Sequence, residues 1–372
     1  MRFGYWLPVF GGWLRNVDDE RMAATWSYVR TLAQQSERWG FDLTLIAELN
    51  LNDIKGTRAP SLDAWSTAAS LAAVTSTLEL MVAVRPTFHE PALLAKQAAN
   101  IDHISDGRLT LNVVSSWWAD EAKQYGVRFD QHDERYARTR EWLTVVDGLW
   151  REPEFSFKGR FYDVQNTILE PKPSRQPRPT IYMGGESPAA KDLIAELSDA
   201  YVMHGDEPER VGARIRDLSE RRERLSAVAR SAKAGHDTRP MQFGVAGYTI
   251  VRDSHEEAMR EVSRITDVKQ SSAGYGNYQQ WISNTQLEQR VSLEDYSVSN
   301  RGLRSGLIGT PETVLDRVRE FEAAGVDLLL LQCSPQLEEM ERFGRQVIAP
   351  YRRSIAARPA YGDVSVVNRQ RF

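Results

Sequence analysis

The chain has 372 residues, which is enough for two ordinary domains or for one α/β barrel. Its 47 lysines and arginines nearly balance 51 aspartates and glutamates, so no net field recruits nucleic acid or an anionic membrane surface. The single cysteine, Cys333, excludes an intramolecular disulfide and a paired-cysteine motif, and we interpret it as a packing residue. The first residues already follow a strand pattern, and no run of about 18 apolar residues occurs. We therefore expect a cytoplasmic protein without a membrane span.

Eight apolar or β-branched runs alternate with segments of helical period along the chain. The runs predict strands at 3–7, 42–46, 77–84, 109–114, 179–183, 199–203, 241–251 and 326–332. The other segments predict helices at 22–38, 62–74, 91–103, 133–150, 188–196, 208–230, 255–266, 312–324 and 336–348. This alternation predicts an α/β fold of the (β/α)8 TIM-barrel type. A doubly wound open sheet is the alternative, but residues 8–13 lack the glycine pattern expected after its first strand.

Residues 1–352 are predicted to form one barrel domain with two insertions. Before the fifth strand, residues 152–178 predict a small hairpin followed by a proline-rich crossing. Before the eighth strand, residues 267–305 are polar and lack a clear period, which predicts a mobile lid, a binding loop or a disordered segment. Residues 353–372 are predicted to be a C-terminal tail, either flexible or an arm onto a neighbouring subunit.

The fifth predicted strand runs into two glycines and a helix start. Gly184 and Gly185 let the backbone approach an anion, Ser187 is suited to cap the helix, and Pro188 suits its first turn. The free N–H groups and the positive end of the helix dipole then face the loop. This pattern predicts a phosphate cradle, although it is also compatible with an ordinary strand-to-helix turn.

In a TIM barrel the working residues lie at the carboxyl ends of the strands. Those ends bring aromatic, small and amide-bearing side chains together with the phosphate cradle, a combination that suits a planar heteroaromatic ring carrying a phosphate. Flavin mononucleotide (FMN) fits that description. The residues are Trp6, Glu48, Arg85, Asn112, Ser115, Trp117, Trp118, Gly184, Gly185 and the stretch 246–248.

Other chemistries have little support in the sequence. The six histidines do not form a metal-binding motif, so no metal site is predicted. No Gly-x-Ser-x-Gly or P-loop sequence occurs. Glycoside hydrolysis would need a second carboxylate to pair with Glu48, and the other strand ends named above supply none.

Several ordered segments carry a family resemblance: 82–86, 101–108, 112–115, 132–136, 182–187, 307–311, 338–339 and 343–344. Over residues 3–352 the chain resembles the bacterial luciferase-like flavin monooxygenases. It resembles in particular the two-component, FMNH2-dependent branch that contains the alkanesulfonate, methanesulfonate and dimethylsulfone monooxygenases. Residues 3–8 and 132–136 are most similar to the dimethylsulfone enzymes.

The resemblance implies an FMN site. Asn112 and Ser115 would hydrogen-bond the isoalloxazine edge, and Tyr136 would hold the phosphate with Gly184, Gly185 and Ser187. Arg85 is also assigned to the cofactor. His132 is either a further ligand or a polar residue at a helix start. The alternative for Asn112 is a residue at the barrel rim that hydrogen-bonds backbone groups, and the alternative for Tyr136 is a helix residue that packs on the barrel.

The expected substrate site departs from the alkanesulfonate enzymes. They place an arginine and a histidine where this chain has Ala246 and Tyr248, and the tyrosine they keep after the last strand corresponds to about Ser334 here. Arg301 or Arg304 lies near the place of their mobile arginine, where the alternative is a solvated loop. A neutral sulfone, or a bulkier sulfonate bound differently, is therefore the expected substrate.

Together these features predict an FMNH2-dependent monooxygenase that uses O2 and cleaves a C–S bond of an organosulfur compound. Reduced flavin would come from a separate reductase, and the resemblance implies a homodimer or homotetramer. The alternatives are an F420-dependent oxidoreductase, a monooxygenase of a nitrogen compound, and a non-catalytic FMN-binding protein. The residues assigned to catalysis and to its water-excluding pocket are Trp6, Glu48, Trp117, Tyr248 and Arg301.

Overall fold

Eight parallel strands close into a barrel in the computed structural model, which describes residues 1–231, 240–267, 278, 282, 291–298 and 301–357. The strands are β1 Arg2–Trp6, β2 Leu43–Ile46, β3 Glu79–Val84, β4 Leu109–Val113, β5 Thr180–Met183, β6 Ala200–Met203, β7 Gln242–Tyr248 and β8 Leu328–Gln332. The ring order is β1-β8-β7-β6-β5-β4-β3-β2, with every neighbouring pair parallel. All eight predicted strands are confirmed, and the fold is the predicted TIM barrel.

Helices follow the strands and cover the barrel. Several begin where the sequence places a capping residue: Thr25, Ser187, Ser254 and Thr310 each accept a hydrogen bond from the backbone N–H three residues later. The helices span Trp26–Trp39, Ala64–Ala72, Pro91–Ile104, Ala119–Gln124, His132–Arg151, Pro188–Leu197, Pro208–Ser231, His255–Thr266, Leu293–Ser297, Pro311–Ala323, Gln336–Phe343 and Ala349–Ala356. A π-helical turn, Gly344–Ile348, joins the last two.

Three details differ from the sequence-based predictions. The predicted strand 241–251 is two strands, because β7 ends at Tyr248 and Ile250–Val251 pairs instead with Ile308–Gly309. The predicted helix 336–348 continues in helical form to residue 356, so the predicted tail begins as helix. The helices at 119–124 and 293–297 are additional to the predicted ones, since each is too short to show a period.

The two predicted insertions are partly described. Strands Phe155–Lys158 and Asp163–Thr167 form the predicted antiparallel hairpin. Within the predicted lid, residues 291–298 and 301–305 are described, whereas most of 268–290 lies outside the described residues, as does 358–372 of the predicted tail.

The hydrophobic core has two layers. A large cluster fills the space between the strands and the surrounding helices. A smaller one fills the barrel itself, with Leu45, Met81, Tyr182 and Leu330 among its buried members and Trp6 packed against it. Because side chains fill the interior of the barrel, a cavity in it must lie above them, at the ends of the strands. None of the helices in the described ranges combines the length and hydropathy needed to cross a lipid bilayer.

Candidate active site

A cavity of about 300 Å³ opens at the carboxyl ends of the strands. Its floor includes Trp6, Leu45 and Val202, which also pack on the core inside the barrel. Ten of the thirteen predicted site residues line it: Trp6, Glu48, Arg85, Asn112, Ser115, Trp117, Tyr136, Gly184, Gly185 and Arg301. The structure therefore brings these ten residues together at one cavity, and their roles stay predictions.

An aromatic wall forms the side of the cavity near β1. Trp13 packs edge-on against Trp6 and Phe10, with ring centroids 6.1 and 6.4 Å apart. The Nε1 of Trp13 donates to Gln336 at 3.3 Å, and Gln336 in turn donates to the Trp6 carbonyl at 2.8 Å, which ties the Trp13 ring to the backbone at the end of β1. Large apolar rings of this kind keep water from a reacting centre.

A second tryptophan pair extends the wall after β4. Trp117 lines the cavity, and buried Trp118 stacks parallel to it at 5.4 Å. Trp118 therefore supports the wall from behind, whereas the sequence predicts that it faces the pocket.

The loop predicted to be a phosphate cradle lies at the end of β5 and has the expected helix cap. Ser187 caps the helix Pro188–Leu197 by accepting from Ala190 N–H at 3.2 Å, and the Tyr136 phenol hydrogen-bonds Ser187. Gly185 has a φ of 150°, and a Cβ there would lie 2.6 Å from the Cβ of Ala190 and 3.6 Å from the Tyr136 hydroxyl. Burial raises the pKa of Tyr136, so its phenol stays protonated and can donate.

Four buried polar atoms of cavity-lining residues have no hydrogen-bond partner among the described residues. They are Asn112 Oδ1, Trp6 Nε1, Ser116 Oγ and Arg301 Nη1. Buried polar atoms normally find partners, so these four atoms are available to a polar ligand in the cavity. Ser115, in contrast, already hydrogen-bonds Thr139 at 3.0 Å.

A buried ion cluster holds Glu48 and Arg85. Glu48 Oε2 accepts from the backbone N–H and the Nε of Arg85, at 2.9 and 3.3 Å, while the other end of the guanidinium donates to both oxygens of Glu121. The second Glu48 oxygen contacts His89 Nε2. Arg85 also lies 4.0 Å over the Phe88 ring, so its charge is matched on every side.

A clasp, consisting of Arg15 and the segment 291–298, closes one side of the cavity. The Arg15 guanidinium lies 4.0 Å over the Tyr296 ring and donates to the Tyr296 carbonyl at 3.3 Å. It also pairs with Asp53 at 2.6 Å, and the Arg15 N–H donates to Ser297 O at 3.0 Å. Arg304 pairs with Asp295 on the same segment.

Arg301 lies at the cradle side of the cavity. It is 2% exposed, and its Nη2 pairs with Glu186, the residue between Gly185 and Ser187. His204 lies on the wall beside it. Burial, and then the charge of Arg301, lowers the pKa of His204 from 6.5 to about 4, so the ring is neutral near pH 7.

Three predicted site residues do not line the cavity. Ser187 does not line the cavity itself, but it lies next to Tyr136, which does. The His132 ring lies 5.0 Å from the Tyr136 ring and hydrogen-bonds Asp133, so it borders the cradle. Tyr248 is 1% exposed, is absent from the cavity wall, and belongs to the large core cluster between the strands and the helices. The prediction that Tyr248 lines the pocket is therefore wrong, because this side chain is used for core packing.

Sequence reasoning missed several wall residues. His204 directly follows β6, so the strand-end rule applied to that strand would have named it. Arg15, Asp53 and Tyr296 belong to long loops or to the lid, and only the folded chain brings them together.

FMN fits these residues. A phenol, a capping serine and two close-approach glycines suit its phosphate, and the unpartnered Asn112 amide oxygen suits the donor edge of its ring. No group of three or more His, Cys, Asp or Glu in the described ranges is placed to hold a metal ion.

The fold and the site define a TIM-barrel protein with a glycine-containing, serine-capped helix start beside an aromatic cavity at the strand ends. Within that class, residues 1–328 match the profile of the luciferase-like monooxygenases, and the chain belongs to this family. It is 34% identical over 370 residues to an FMNH2-dependent dimethylsulfone monooxygenase of Pseudomonas putida, covering 94% of each chain. It is 33% identical over 356 residues to one of Pseudomonas fluorescens (strain Pf0-1), covering 94% of this chain and 93% of that one.

A solved structure shows the same fold. The long-chain alkane monooxygenase LadA superposes with a TM-score of 0.78 at 19% identity, covering 98% of this chain and 93% of that one. The predicted family resemblance, including the similarity to the dimethylsulfone enzymes, is thereby confirmed.

Proposed function

We propose that the protein is an FMNH2-dependent monooxygenase that oxygenates a small neutral sulfone and cleaves its C–S bond. The observation that carries the proposal is the coincidence, in one cavity, of the phosphate cradle, the unpartnered polar atoms and the aromatic wall. The two dimethylsulfone monooxygenases at 33 and 34% identity support the same reaction.

Tyr136, Gly184, Gly185 and Ser187 would hold the flavin phosphate, and Asn112 with Ser115 would meet the ring edge. When bound, reduced flavin supplies the two electrons that activate O2. The protein's own contribution is orientation and exclusion of water, through Trp6, Trp13, Trp117 and the clasp. Because such a site consumes reduced flavin, another enzyme must supply it, and we propose a separate flavin reductase.

The cavity charges favour a neutral substrate over a sulfonate. Three arginines line the cavity, and each is paired with a carboxylate: Arg15 with Asp53, Arg85 with Glu48 and Glu121, and Arg301 with Glu186. An anionic sulfonate needs a cation with a free donor, and of these three arginines Arg301, on the cradle side, is the one with an unpartnered guanidinium nitrogen among the described residues. A sulfone needs only neutral donors such as the indole N–H of Trp6.

The test combines the purified protein with FMN, NADH, a flavin reductase and dimethylsulfone, methanesulfonate or a longer alkanesulfonate. We expect dimethylsulfone, O2 and FMNH2 to give methanesulfinate, formaldehyde, FMN and water, with no sulfite from the sulfonates. Sulfite release from a sulfonate, without methanesulfinate from the sulfone, would contradict the substrate assignment. Turnover of amines or chelates alone would move the function to nitrogen compounds.

The F420-dependent and the non-catalytic functions are separable in the same assay. Activity with F420 but not with FMN would indicate an F420-dependent oxidoreductase. Tight FMN binding without any reductase-dependent O2 uptake would indicate a non-catalytic flavoprotein. The homodimer or homotetramer and the cytoplasmic location remain predictions, and light scattering of the purified protein checks the first of these.

A further inference from the structure

The family resemblance assigns Arg301 to the substrate, but its surroundings differ from those of the substrate wall. Trp6 lies at the end of β1, and the Gly184–Gly185 cradle follows β5, which is four strands away around the eight-stranded ring. The part of the aromatic wall formed by Trp6 and Trp13 therefore lies on the opposite side of the barrel mouth from the cradle. The position of Arg301 on this ring decides which end of a bound flavin it meets.

The backbone of Arg301 is fixed against the strands on the cradle side. A Cβ on Gly205, just after β6, would lie 2.6 Å from the Arg301 carbonyl oxygen and 2.9 Å from that of Ala246 on β7. The same Arg301 oxygen accepts from Arg304 N–H at 3.0 Å, and Arg301 adopts a left-handed φ of 55°. The main chain is therefore pressed onto the ends of β6 and β7, next to β5.

The guanidinium is held by the cradle itself. Its Nη2 donates to Glu186, which stands between Gly185 and Ser187, so the ion pair joins Arg301 to the loop that would surround the phosphate. The Nη1 is buried and has no hydrogen-bond partner in the described part of the chain. One half of a forked donor is thus used for positioning, and the other half is left for a ligand at the cavity.

The local charge favours an anion there. Arg214 is paired with Asp206 at 2.7 Å, and His204 is neutral near pH 7, so neither adds a free cation to the cradle. The positive end of the helix Pro188–Leu197 contributes only a partial charge, and Glu186 opposes it. A phosphate dianion in this cradle needs one full positive charge with a free N–H, and Arg301 has both.

We propose that Arg301 is a phosphate-recognition residue, which binds the FMN phosphate through Nη1 while Glu186 positions it through Nη2. The proposal rests on the proposed function, since it takes FMN as the ligand, and it replaces the substrate role predicted for Arg301. It makes Arg301 the residue that distinguishes FMN from riboflavin, which has the same ring and ribityl chain but no phosphate.

The test is a comparison of two dissociation constants, measured by flavin fluorescence without turnover. Arg301→Gln keeps an amide near Glu186 but removes the charge. We expect it to weaken FMN binding 10- to 100-fold and to leave riboflavin binding within about twofold. The matched control is Arg252→Gln, which likewise pairs with a buried carboxylate, Glu339 at 2.7 Å, but lies outside the cavity wall, so it should leave both constants unchanged.

A second variant keeps the proposal testable if Arg301→Gln does not fold. Glu186→Gln removes the carboxylate that opposes the phosphate and frees more of the guanidinium charge, so the preference for FMN over riboflavin should rise. A preference that stays constant or falls would contradict the proposal.

The outcomes separate this inference from the proposed function. If FMN and riboflavin weaken equally in Arg301→Gln, the residue supports the fold and the inference is overturned, while the flavin site stands. If Arg301→Gln retains the wild-type preference for FMN, the inference is likewise overturned. If the wild-type protein binds neither flavin, the proposed function fails, and the inference fails with it.

Discussion

Glu48 receives two hydrogen bonds from Arg85, one from its backbone N–H at 2.9 Å and one from its Nε at 3.3 Å. The strand-end carboxylate predicted to take part in catalysis is therefore committed to a buried ion cluster, which Glu121 completes. Arg85 is the only described residue that bridges both carboxylates by these bonds. Its loss and the loss of Glu48 should therefore have unequal effects.

We predict that Arg85→Gln lowers the free energy of unfolding by ~3–5 kcal/mol, because it leaves two buried carboxylates without their cation. Glu48→Gln should cost clearly less, since Arg85 keeps Glu121 and glutamine retains an oxygen acceptor. Urea unfolding of both variants measures the difference. Equal destabilisation, or a larger effect of Glu48→Gln, would contradict this account of the cluster.

Asn112→Leu should have opposite effects on the fold and on the ligand. The Asn112 Oδ1 is buried without a partner in the described chain, so replacing it by an apolar group of similar size should change the free energy of unfolding by less than ~1 kcal/mol. FMN affinity should nevertheless fall about tenfold, because one charge-neutral hydrogen bond to the ring is lost. Fluorescence titration and urea unfolding check the two parts.

Ser115→Ala is the comparison for that variant. The Ser115 hydroxyl already bonds Thr139 at 3.0 Å, so its contribution to flavin binding should be the smaller one. If Ser115→Ala weakens FMN more than Asn112→Leu does, the unpartnered atom is not the main contact to the ring edge.

Gly185→Ala should disable the cradle. A methyl group there would lie 2.6 Å from the Ala190 Cβ at a φ of 150°, so the backbone must move away from the position that faces the Tyr136 phenol. FMN binding should weaken at least tenfold, while riboflavin binding changes little. Gly184→Ala meets only the Val202 carbonyl at 3.2 Å and should be milder, which makes it the matched control.

His204 should make the protein less stable in mild acid. Its pKa is lowered to about 4 in the folded chain from an ordinary value of 6.5, first by burial and then by Arg301. Between these pH values the unfolded chain binds a proton on His204 that the folded chain does not. The contribution of His204 to the free energy of unfolding is therefore fully present above pH 6.5 and is lost as the pH falls towards 4. Glu186, which raises the pKa, and Arg214, which lowers it, are the other charges that act on the ring.

The measurement is the free energy of unfolding at pH 7.5 and at pH 5. The loss between them should be smaller in His204→Gln than in the wild-type chain by on the order of 2 kcal/mol. An identical loss in both proteins would assign the pH dependence to other groups.

Arg15 should control water exclusion. Arg15→Met removes the pairing with Asp53 and the hydrogen bond to Tyr296, so the clasp loosens and more NADH is spent on hydrogen peroxide per product formed. Arg21→Met, which breaks only the exposed pair with Glu338, is the control. Unchanged coupling in Arg15→Met would show that the clasp does not protect the reaction.

The parts of this molecule that could be predicted from sequence are those encoded over a few residues. Ser187 and Pro188 fix a helix start by local hydrogen bonding and ring geometry, and the structure confirms both. The strands could be predicted because each one is an apolar run of four to seven residues, which is itself a local pattern.

The ion pairs of the cavity could not be predicted in the same way. Glu121 reaches Arg85 across 36 positions, from a helix of only six residues, and Arg15 meets Tyr296 across 281. Such contacts depend on how loops from different strands meet, and no period in the sequence encodes that. The assignment of Tyr248 to the pocket fails because it depends on tertiary packing: Tyr248 is the last residue of β7, but its side chain packs in the core and not at the cavity.

The pairing of the cavity arginines also bears on how molecules reach the site. The charged side chains on the wall are three arginines and three acids, Glu48, Asp53 and Asp295, so the mouth carries no net attraction for a distant ion. A neutral sulfone would then arrive by unbiased diffusion, and kcat/KM for it should hardly change between about 10 and 300 mM salt. The affinity for the doubly charged flavin should nevertheless fall with added salt over the same range, since its phosphate would pair with a single local cation, Arg301. Varying the ionic strength thereby distinguishes binding of the cofactor, which depends on salt, from arrival of the substrate, which does not.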